Sequence, residues 1–326
     1  MEKWKIDVPV LLIFFARPDV FEKVFESVRE AKPSTLLLWQ DGPRENRPDD
    51  IENIEKCRKI AENIDWECTV YRNYHEKNMG CDPSTFLSHK WAFSIVDKCI
   101  ILEDDMVAKQ SFYPFCKELL DKYENDERIN HICGVNPLGD CDWCKEDYFF
   151  AYTGTGAWAS WKRVAETWDE DYTFLDDKRA MYNQEKRIPY IHKAAYKTAL
   201  HRRSTQKQWW ETILGFGATL NNRLVIISKK NLVTNIGITE NAVHGSMLKL
   251  MNKRVKKLFF AKSYDVEFPI KHPKYMLPDY KYFNELTKIN CTGRPFRRFY
   301  RKIEYILKCI VYGEIFNKVK KKFKKA

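Results

Sequence analysis

The sequence predicts an α/β fold in which helices flank a mostly parallel sheet. Two observations support this prediction. Apolar segments of strand length alternate with amphipathic segments of helix length through residues 8–102, and those apolar segments are continuous runs. Continuous runs are typical of strands that are buried on both faces, as in parallel sheets. With 326 residues, 44% of them hydrophobic, the chain can bury a substantial core.

The elements are predicted in chain order from this alternation. Pro18 follows the first apolar run and begins an amphipathic helix, as proline often does at the first helical position. Residues 147–158 mix aromatic residues with glycines, so we expect them to form the floor of a pocket. The predicted strands are 8–16, 35–39, 66–71, 99–102, 129–135 and 223–228, and the predicted helices are one from Pro18 and others at 49–64, 84–96, 112–123 and within 164–206.

Three consecutive acids, Glu103, Asp104 and Asp105, end the apolar run that begins at Cys99. Ligands of parallel α/β sheets gather at the carboxyl ends of the strands, where Arg17 and Asp41 are also expected. Adjacent carboxylates repel each other, and Mn²⁺ or Mg²⁺ accepts one or two carboxylates together with phosphate oxygens. The pattern therefore predicts a metal-dependent site for a nucleotide. A solvated acidic turn is the alternative.

The net charge of +11 is concentrated at the C-terminus. From Arg294 onward, twelve Lys or Arg residues stand against two Glu residues, which leaves the rest of the chain close to neutral. We therefore expect no nucleic-acid-binding face on the main domain. The N-terminal residues make a poor signal peptide, and we expect a cytosolic protein with reduced thiols, the single CxxC pair at Cys141 and Cys144 included.

The ordered motifs resemble those of the GT-A glycosyltransferases, within them the N-acetylglucosaminyltransferase I family and bacterial family-2-like sugar transferases. The resemblance covers roughly residues 8–245. Its motifs are Ala16-Arg17-Pro18, Gln40-Asp41, Lys90-Trp91-Ala92-Phe93, Glu103-Asp104-Asp105, Gly154-Thr155-Gly156-Ala157-Trp158 and Trp210-Glu211.

This resemblance implies roles for individual residues. Asp105 would bind the metal ion directly, and Glu103 and Asp104 would contact ribose, base or metal-bound water. Asp41 would accept a hydrogen bond from a uracil-type ring, and Arg17 would contact the nucleotide or its phosphates. Gly156 belongs to the glycine-containing loop, which is expected on the nucleotide-sugar side of the site.

Glu211 is the predicted catalytic base, because an inverting transfer needs a carboxylate to accept the proton of the acceptor hydroxyl. It stands where the related enzymes carry an aspartate. Its rivals are Asp169, Glu170 and Asp171. A late histidine completes the metal shell in many GT-A enzymes, and His244 is the predicted counterpart; a structural role is the alternative.

The C-terminal residues interleave apolar side chains with cations. Phe299, Ile303, Ile306 and Ile310 recur at three- and four-residue steps, and five of the last seven residues are lysines. Basic amphipathic helices bind anionic membrane surfaces. We therefore expect residues 294–326 to be a membrane-association tail, after a catalytic domain at 1–250 and a connecting segment at 251–293. A docking helix with a solubilising end is the alternative.

The function predicted from these observations is a metal-dependent, inverting glycosyltransferase. It would move a hexosyl or N-acetylhexosaminyl group from a nucleotide-diphosphate donor, with a UDP-sugar as the expected donor. The expected acceptor is a glycan or a lipid-linked sugar of surface-polysaccharide assembly, at the cytoplasmic face of the membrane. A nucleotidyltransferase is the enzymatic alternative, although Ala16-Arg17-Pro18 is not the glycine-rich, basic loop expected for a triphosphate. The alternative without catalysis is a protein that binds nucleic acid or membranes.

Overall fold

A computed structural model describes residues 5–237, 250–291 and 294–312 of the chain. Its centre is a sheet of eight strands, with a separate two-stranded sheet beside it. The strands of the main sheet are β1 (Val10–Phe14), β2 (Thr35–Gln40), β3 (Thr69–Tyr74), β4 (Lys98–Glu103), β6 (Ile129–Cys133), β7 (Tyr148–Ala151), β8 (Trp158–Trp161) and β9 (Leu224–Ser228), and those of the small sheet are β5 (Met106–Ala108) and β10 (Val233–Asn235).

Helices cover both faces of the main sheet. A short 3-10 helix at Thr173–Asp176 precedes the group of helices near the carboxyl edge. The α-helices are α1 (Pro18–Ala31), α2 (Pro48–Ala61), α3 (Cys81–Ile95), α4 (Phe112–Lys122), α5 (Lys162–Ala165), α6 (Lys178–Arg187), α7 (Pro189–Ser204), α8 (Trp210–Leu220), α9 (Lys253–Phe259), α10 (Tyr280–Asn290) and α11 (Pro295–Val311).

The order of the main sheet is β3-β2-β1-β4-β8-β6-β9-β7. Neighbours β3, β2, β1 and β4 pair in parallel, and so do β6 and β9. Strand β8 runs antiparallel to both β4 and β6, and β7 runs antiparallel to β9. Six of the eight strands therefore run in one direction, and the predicted α/β class with a mostly parallel sheet is confirmed.

Strand β1 shows why the buried strands are continuous apolar runs. Val10, Leu12 and Phe14 point to the face covered by α1 and α4, whereas Leu11 and Ile13 point to the face covered by α3 and α8. Because both faces are covered, every side chain of the strand is removed from water, which stabilises the fold by about 1.5–3 kcal/mol for each large apolar residue.

Helix α1 begins where its sequence indicates. Pro18 is its first residue, and Phe21, Val24 and Val28 lie on the buried face of the helix. The helix ends at Ala31, and the next residue, Lys32, adopts a left-handed backbone conformation with a φ of 49°. The short β1–α1 connection consequently holds Arg17 at the carboxyl end of β1.

Two regions differ from the prediction. Residues 147–158, which we expected to form a pocket floor, contain all of β7 and the first residue of β8, and only residues 152–157 between these two strands form a loop. The segment that we expected to be a simple connection after residue 250 contributes Val266, Ile270 and Tyr282 to the buried core. The division into domains stays a prediction.

The small sheet brings a late part of the chain next to the acids. Strand β5 begins directly after Asp105, and β10 pairs with it antiparallel, Asn235 opposite Met106. None of the described helices combines the length and apolar character needed to cross a bilayer.

Candidate functional site

The predicted site residues gather at the carboxyl edge of the main sheet. Arg17 follows β1, Asp41 follows β2, and Glu103 is the last residue of β4. Strand β8 runs the opposite way, so its first residue lies at the same edge. The loop at residues 152–157 that precedes β8 therefore shares this edge with the acids.

Arg17 neutralises part of the acidic cluster. Its guanidinium pairs with Asp104 through Nη2 and, at 3.3 Å, through Nε, while Nη2 lies 3.2 Å from Asp105 Oδ2. The Asp104 carboxylate is buried and also accepts a hydrogen bond from the Phe15 amide at 3.4 Å. One guanidinium thus faces three carboxyl groups, which leaves the cluster short of positive charge.

The pKa values of the two remaining acids are raised by burial and by the neighbouring carboxylates. Desolvation by the surrounding protein, followed by the charges of Asp105 and Asp104, raises the pKa of Glu103 to about 8. Burial, followed by the charge of Asp104, also raises the pKa of Asp105. Asp105 Oδ1 is buried and accepts no hydrogen bond from any described residue. A buried acceptor without a donor costs about 1–3 kcal/mol unless a ligand or a water molecule satisfies it.

These carboxylate oxygens fit a hard divalent cation. Mn²⁺ and Mg²⁺ prefer oxygen ligands and take only one or two of them from the protein when a substrate phosphate supplies others. No group of three or more potential metal ligands lies together among the described residues. His244, the second predicted ligand, falls in 238–249, outside the described residues.

The small sheet holds Asp105 in place. The amide of Ile236 donates a hydrogen bond to the Asp105 carbonyl at 2.9 Å. A Cβ atom on Gly237 would overlap Asp105 Oδ2 and lie 2.7 Å from the Asp105 Cβ, so only glycine fits there. The Asp105 side chain consequently has little freedom to move on the side of Gly237.

Asp41 organises the loop that leads to α3. Its buried carboxylate accepts hydrogen bonds from the amides of Gly42, Met79 and Gly80 at 2.9–3.2 Å, and from Asn78 Nδ2 at 3.1 Å. The acceptor positions of Asp41 are thus occupied by its own loop. Its predicted contact with a nucleotide base stays a prediction.

The loop before β8 is shaped by its glycines and by a buried histidine. A Cβ atom on Gly156, which has a φ of +126°, would lie 2.5 Å from Val135 Cγ2. The side-chain Nδ2 of Asn130 donates a hydrogen bond to His131 Nδ1 at 2.9 Å. The Nε2 atom of His131 therefore carries the ring hydrogen and donates it to the Gly154 carbonyl at 2.7 Å. Burial lowers the pKa of His131 to about 4, and this bond is therefore made by the neutral imidazole. Its role is to position the loop.

Trp210 positions Glu211 at the start of α8. The Trp210 ring stacks on Trp158 of β8, with ring centroids 6.2 Å apart and planes 6° from parallel. His89 of α3 meets both rings edge-on at 5.1 and 5.2 Å. These aromatic contacts join α3, α8 and the sheet, so that the first turn of α8 faces the carboxyl edge.

Glu211 belongs electrostatically to the same site as the acids. The Glu211 side chain is open to solvent on one side, but nearby protein desolvates its carboxyl group and raises its pKa. The charge of Asp82 raises it further, and Arg202 opposes both effects. The charge of Glu211 in turn contributes to the raised pKa of Glu103. The structure thus brings the predicted base close enough to the acidic cluster for the two to interact.

A cavity of about 310 Å³ opens beside Glu211. This volume lies at the lower end of the range for small-molecule sites. Loop residues Tyr152–Thr155 form one wall, and Arg202 and Thr198 of α7 form another. Arg202 packs over the Trp209 ring at 4.5 Å. The cavity combines apolar walls with one carboxylate and one guanidinium.

Asp82 and Arg202 were missed by the sequence interpretation. Asp82 occupies the first turn of α3, two residues after the positive-φ residue Gly80. Arg202 lies in a helical segment rich in charged residues, where no local pattern distinguishes it. An acid two residues after a glycine, at a helix start, was the available signal for Asp82.

The three rivals of Glu211 lie in a turn before the 3-10 helix. Asp169 accepts hydrogen bonds from Thr173 Oγ1 at 2.8 Å and from the Phe174 amide at 2.9 Å. Glu170 pairs with Lys90 at the surface at 3.0 Å. Neither of these two residues, nor Asp171, lines the cavity beside Glu211. The assignment of the base stays a prediction.

No protein-family model matches the sequence, and no curated protein matches it significantly. Among solved structures, UDP-glucose pyrophosphorylase complexed with UDP-glucose is 8% identical, with 69% of this chain and 91% of that chain covered and a TM-score of 0.34. The apo form of UDP-glucose pyrophosphorylase is also 8% identical, with 70% and 93% covered and a TM-score of 0.35.

A third solved structure is 4-diphosphocytidyl-2C-methyl-D-erythritol synthase from Anaerococcus prevotii. It is 10% identical, with 49% of this chain and 74% of that chain covered and a TM-score of 0.29. No conclusion about the function of this chain follows from similarities this weak. None of these three structures is an N-acetylglucosaminyltransferase, so the resemblance to that family stays a prediction.

Proposed function

We propose that this chain is a metal-dependent enzyme that binds a nucleotide-diphosphate sugar, and that it is a glycosyltransferase. One observation supports the proposal. Asp104 and Asp105 share the guanidinium of Arg17 at the carboxyl edge of a mostly parallel sheet, Glu103 precedes them in the chain, and the buried Asp105 Oδ1 has no hydrogen-bond donor among the described residues. A divalent cation with an attached diphosphate supplies what this arrangement lacks.

Asp105 would hold the cation, with Glu103 and Asp104 near it. A bound Mn²⁺ or Mg²⁺ neutralises charge on a leaving diphosphate. Arg17 would then pair with phosphate oxygens as well as with Asp104, since its side chain is 44% exposed and can turn toward a ligand. His244 remains the proposed second ligand of the metal.

Glu211 would act as the general base of an inverting transfer. A base must be ionised to accept a proton and must lie within hydrogen-bond reach of the acceptor hydroxyl. Glu211 lines the cavity, and Arg202 favours its ionised form. The cavity beside it would hold the acceptor sugar, while the glycine loop that ends at Gly156 would line the donor side.

The proposed donor is a UDP-hexose or UDP-N-acetylhexosamine, and the proposed acceptor is a glycan or a lipid-linked sugar of surface-polysaccharide assembly. We place this reaction in the cytoplasm, at the inner face of the cell membrane. The acidic cluster lies at the end of β4 and in the turn that follows it, whereas the base lies on α8, so that separate elements would form the donor site and the acceptor site.

A nucleotidyltransferase is the second candidate. Arg202 favours it, because a guanidinium in the cavity wall would pair with the phosphate of a sugar phosphate. The β1–α1 connection opposes it, because Phe15, Ala16 and Arg17 include no glycine and only one cation to hold a triphosphate.

A thermal-shift experiment tests donor binding. Purified protein is heated with UDP-sugars, other nucleotide sugars or nucleoside triphosphates, each with Mn²⁺, Mg²⁺ or EDTA. At about 100 times its dissociation constant, a ligand stabilises the folded state by about 2.7 kcal/mol. We expect a metal-dependent shift with a nucleotide-diphosphate sugar and none with Asp105→Asn.

Mass spectrometry of the products then separates the two enzyme classes. Release of free nucleoside diphosphate supports a glycosyltransferase. Formation of a nucleotide sugar from a triphosphate and a sugar phosphate, with release of pyrophosphate, supports a nucleotidyltransferase. Identical responses of wild type and Asp105→Asn to every nucleotide would refute the site.

A further inference from the structure

Helix α11 exposes its apolar face. The exposed fraction is 81% for Phe296, 61% for Phe299, 56% for Leu307 and 78% for Val311. At about 100° per residue, eight of the apolar or aromatic residues of the helix occupy one continuous arc of about 140°, and Tyr305 and Cys309 lie outside it. The remaining members of this arc are Tyr300, Ile303, Ile306 and Ile310, all of them exposed.

The polar face of α11 is the one that contacts the protein. Glu304 accepts a hydrogen bond from Asn252 Nδ2, and Lys308 Nζ donates to the Met251 carbonyl at 3.0 Å. Arg301 donates to the Ile289 carbonyl at the end of α10. An amphipathic helix of a globular protein normally buries its apolar face. The reversed orientation of α11 implies that something outside the described fold covers that face.

Helix α9 adds a second basic and apolar element beside α11. It carries Lys253, Arg254, Lys256 and Lys257, and the residues at its end, Phe259 and Phe260, are 44% and 50% exposed. An open groove along α9 is lined by seven Lys or Arg side chains and only two acidic ones. The surface that we call the basic face consists of α9, this groove and α11.

The charge of the basic face decides between its possible occupants. A second copy of the chain would bring the same cations together, and the two surfaces would repel each other. Anionic lipid headgroups attract Lys and Arg, while exposed aromatic and aliphatic side chains enter the boundary between headgroups and acyl chains. Arg297 on one side of the apolar arc, and Arg298 and Lys302 on the other, are placed to meet headgroups.

The basic face is connected to the candidate site through β10. Ser263, four residues after α9, lies 2.8 Å from Thr234 of β10 through their hydroxyl oxygens. Gly237, three residues beyond Thr234, contacts Asp105. Three extended residues span about 10 Å. The acids therefore lie close to the edge of the basic face.

We propose that α9 and α11 together form a docking surface for an anionic phospholipid bilayer. The surface holds the candidate site at the membrane, where a lipid-linked acceptor would reach it; this last step rests on the proposed function. Docking itself does not depend on that function, because the residues of the basic face are separate from the acids and from Glu211.

Vesicle co-sedimentation of the full chain tests the proposal. The probes are vesicles of phosphatidylcholine alone and of phosphatidylcholine mixed with phosphatidylglycerol. We expect binding to the anionic vesicles that weakens as salt is added. Arg297→Gln combined with Lys302→Gln should weaken it about thirtyfold, since each cation near an anionic surface contributes about fivefold.

Apolar variants provide the second arm. Phe299→Ser with Leu307→Ser changes only exposed side chains, and we expect at least about tenfold weaker binding. The matched control is Ile51→Ser with Tyr182→Ser, which removes side chains that are 54% and 59% exposed on α2 and α6. This control should bind as wild type does.

Three results would overturn docking. The first is equal binding of the wild type to both kinds of vesicle, and the second is unchanged vesicle binding by the charge variant. The third is a wild type that binds no vesicles and forms a dimer that the apolar substitutions dissociate. Thermal shifts with nucleotide sugars are measured on the same variants without vesicles. A retained shift in a protein that binds no vesicles would refute docking alone, whereas vesicle binding without any nucleotide response would refute the proposed function alone.

Discussion

Replacing Arg17 by alanine tests how the acidic cluster is neutralised. The variant leaves the buried Asp104 carboxylate with the Phe15 amide as its remaining described donor. Removing one partner of a fully buried ion pair costs about 3–5 kcal/mol. Arg17 is 44% exposed, so water screens the pair, and we expect a loss of about 1–2 kcal/mol in EDTA.

This loss should be visible in thermal unfolding. For a chain of this length, about 1 kcal/mol corresponds to about 1.5 °C, so Arg17→Ala should unfold about 2–3 °C below wild type in EDTA. A saturating divalent cation at about 100 times its dissociation constant should raise the midpoint of wild type by about 4 °C. The increase should be larger in Arg17→Ala, because the cation then replaces the missing guanidinium.

Differential scanning fluorimetry of three variants measures these shifts. Arg29→Ala is the matched control: it removes an arginine of α1, the helix that follows Arg17, and Arg29 pairs with Asp65 at the surface. It should lower the midpoint by less than about 1.5 °C and leave the response to metal unchanged. Asp105→Asn should lose the response. An equal metal response in wild type, Arg17→Ala and Asp105→Asn would refute the assignment.

Three further predictions concern the base, a buried histidine and the glycine loop. Glu211→Gln should abolish turnover but keep donor binding. In the wild type, activity is lost as pH falls through the raised pKa of Glu211, so the acidic limb of the kcat/KM profile should lie above the ordinary glutamate pKa of about 4.3. A limb at or below that value would contradict the assignment of the base. Both ring nitrogens of His89 lack a hydrogen-bond partner among the described residues, and burial lowers the pKa of His89 to about 3. His89→Phe should therefore cost no stability at neutral pH in urea unfolding, and it should remove a loss of stability that develops as pH falls below about 6.5. A loss above about 2 kcal/mol at neutral pH would refute this prediction. Gly156→Ala should lower the free energy of unfolding by about 2–3 kcal/mol. The control is Gly139→Ala, because Gly139 has a φ of +85° but open space around it, and this variant should lose less stability. Equal losses would show that contact with Val135 is unimportant.

Much of the α/β core could be predicted because each buried strand is marked by its own residues. Leu11 and Leu12 belong to opposite faces of β1, and both are apolar because both faces are covered. The strand boundaries were predicted to within three residues, and the starts at Thr35 and Ile129 and the end at Ser228 were predicted without displacement. The predicted third strand, at 66–71, shifted to Thr69–Tyr74, since this edge strand is largely exposed and lacks a continuous apolar pattern.

The small sheet and strands β7 and β8 could not be predicted in the same way. Strand β5 has only three residues, and β10, its partner, comes more than a hundred residues later. Strand β8 lies between β4 and β6 although it follows both in the chain. Pairings of this kind depend on the path of the whole chain, which no short window of sequence contains.

The sequence by itself determined which segments are buried and that three acids end a buried strand, because hydrophobic periodicity and charge are local properties. Tertiary structure alone decided that Gly237 lies against Asp105, that Asp82 and Arg202 surround Glu211, and that α11 turns its apolar face outward. These outcomes depend on packing between segments far apart in the chain, where shape and charge must match across the whole molecule.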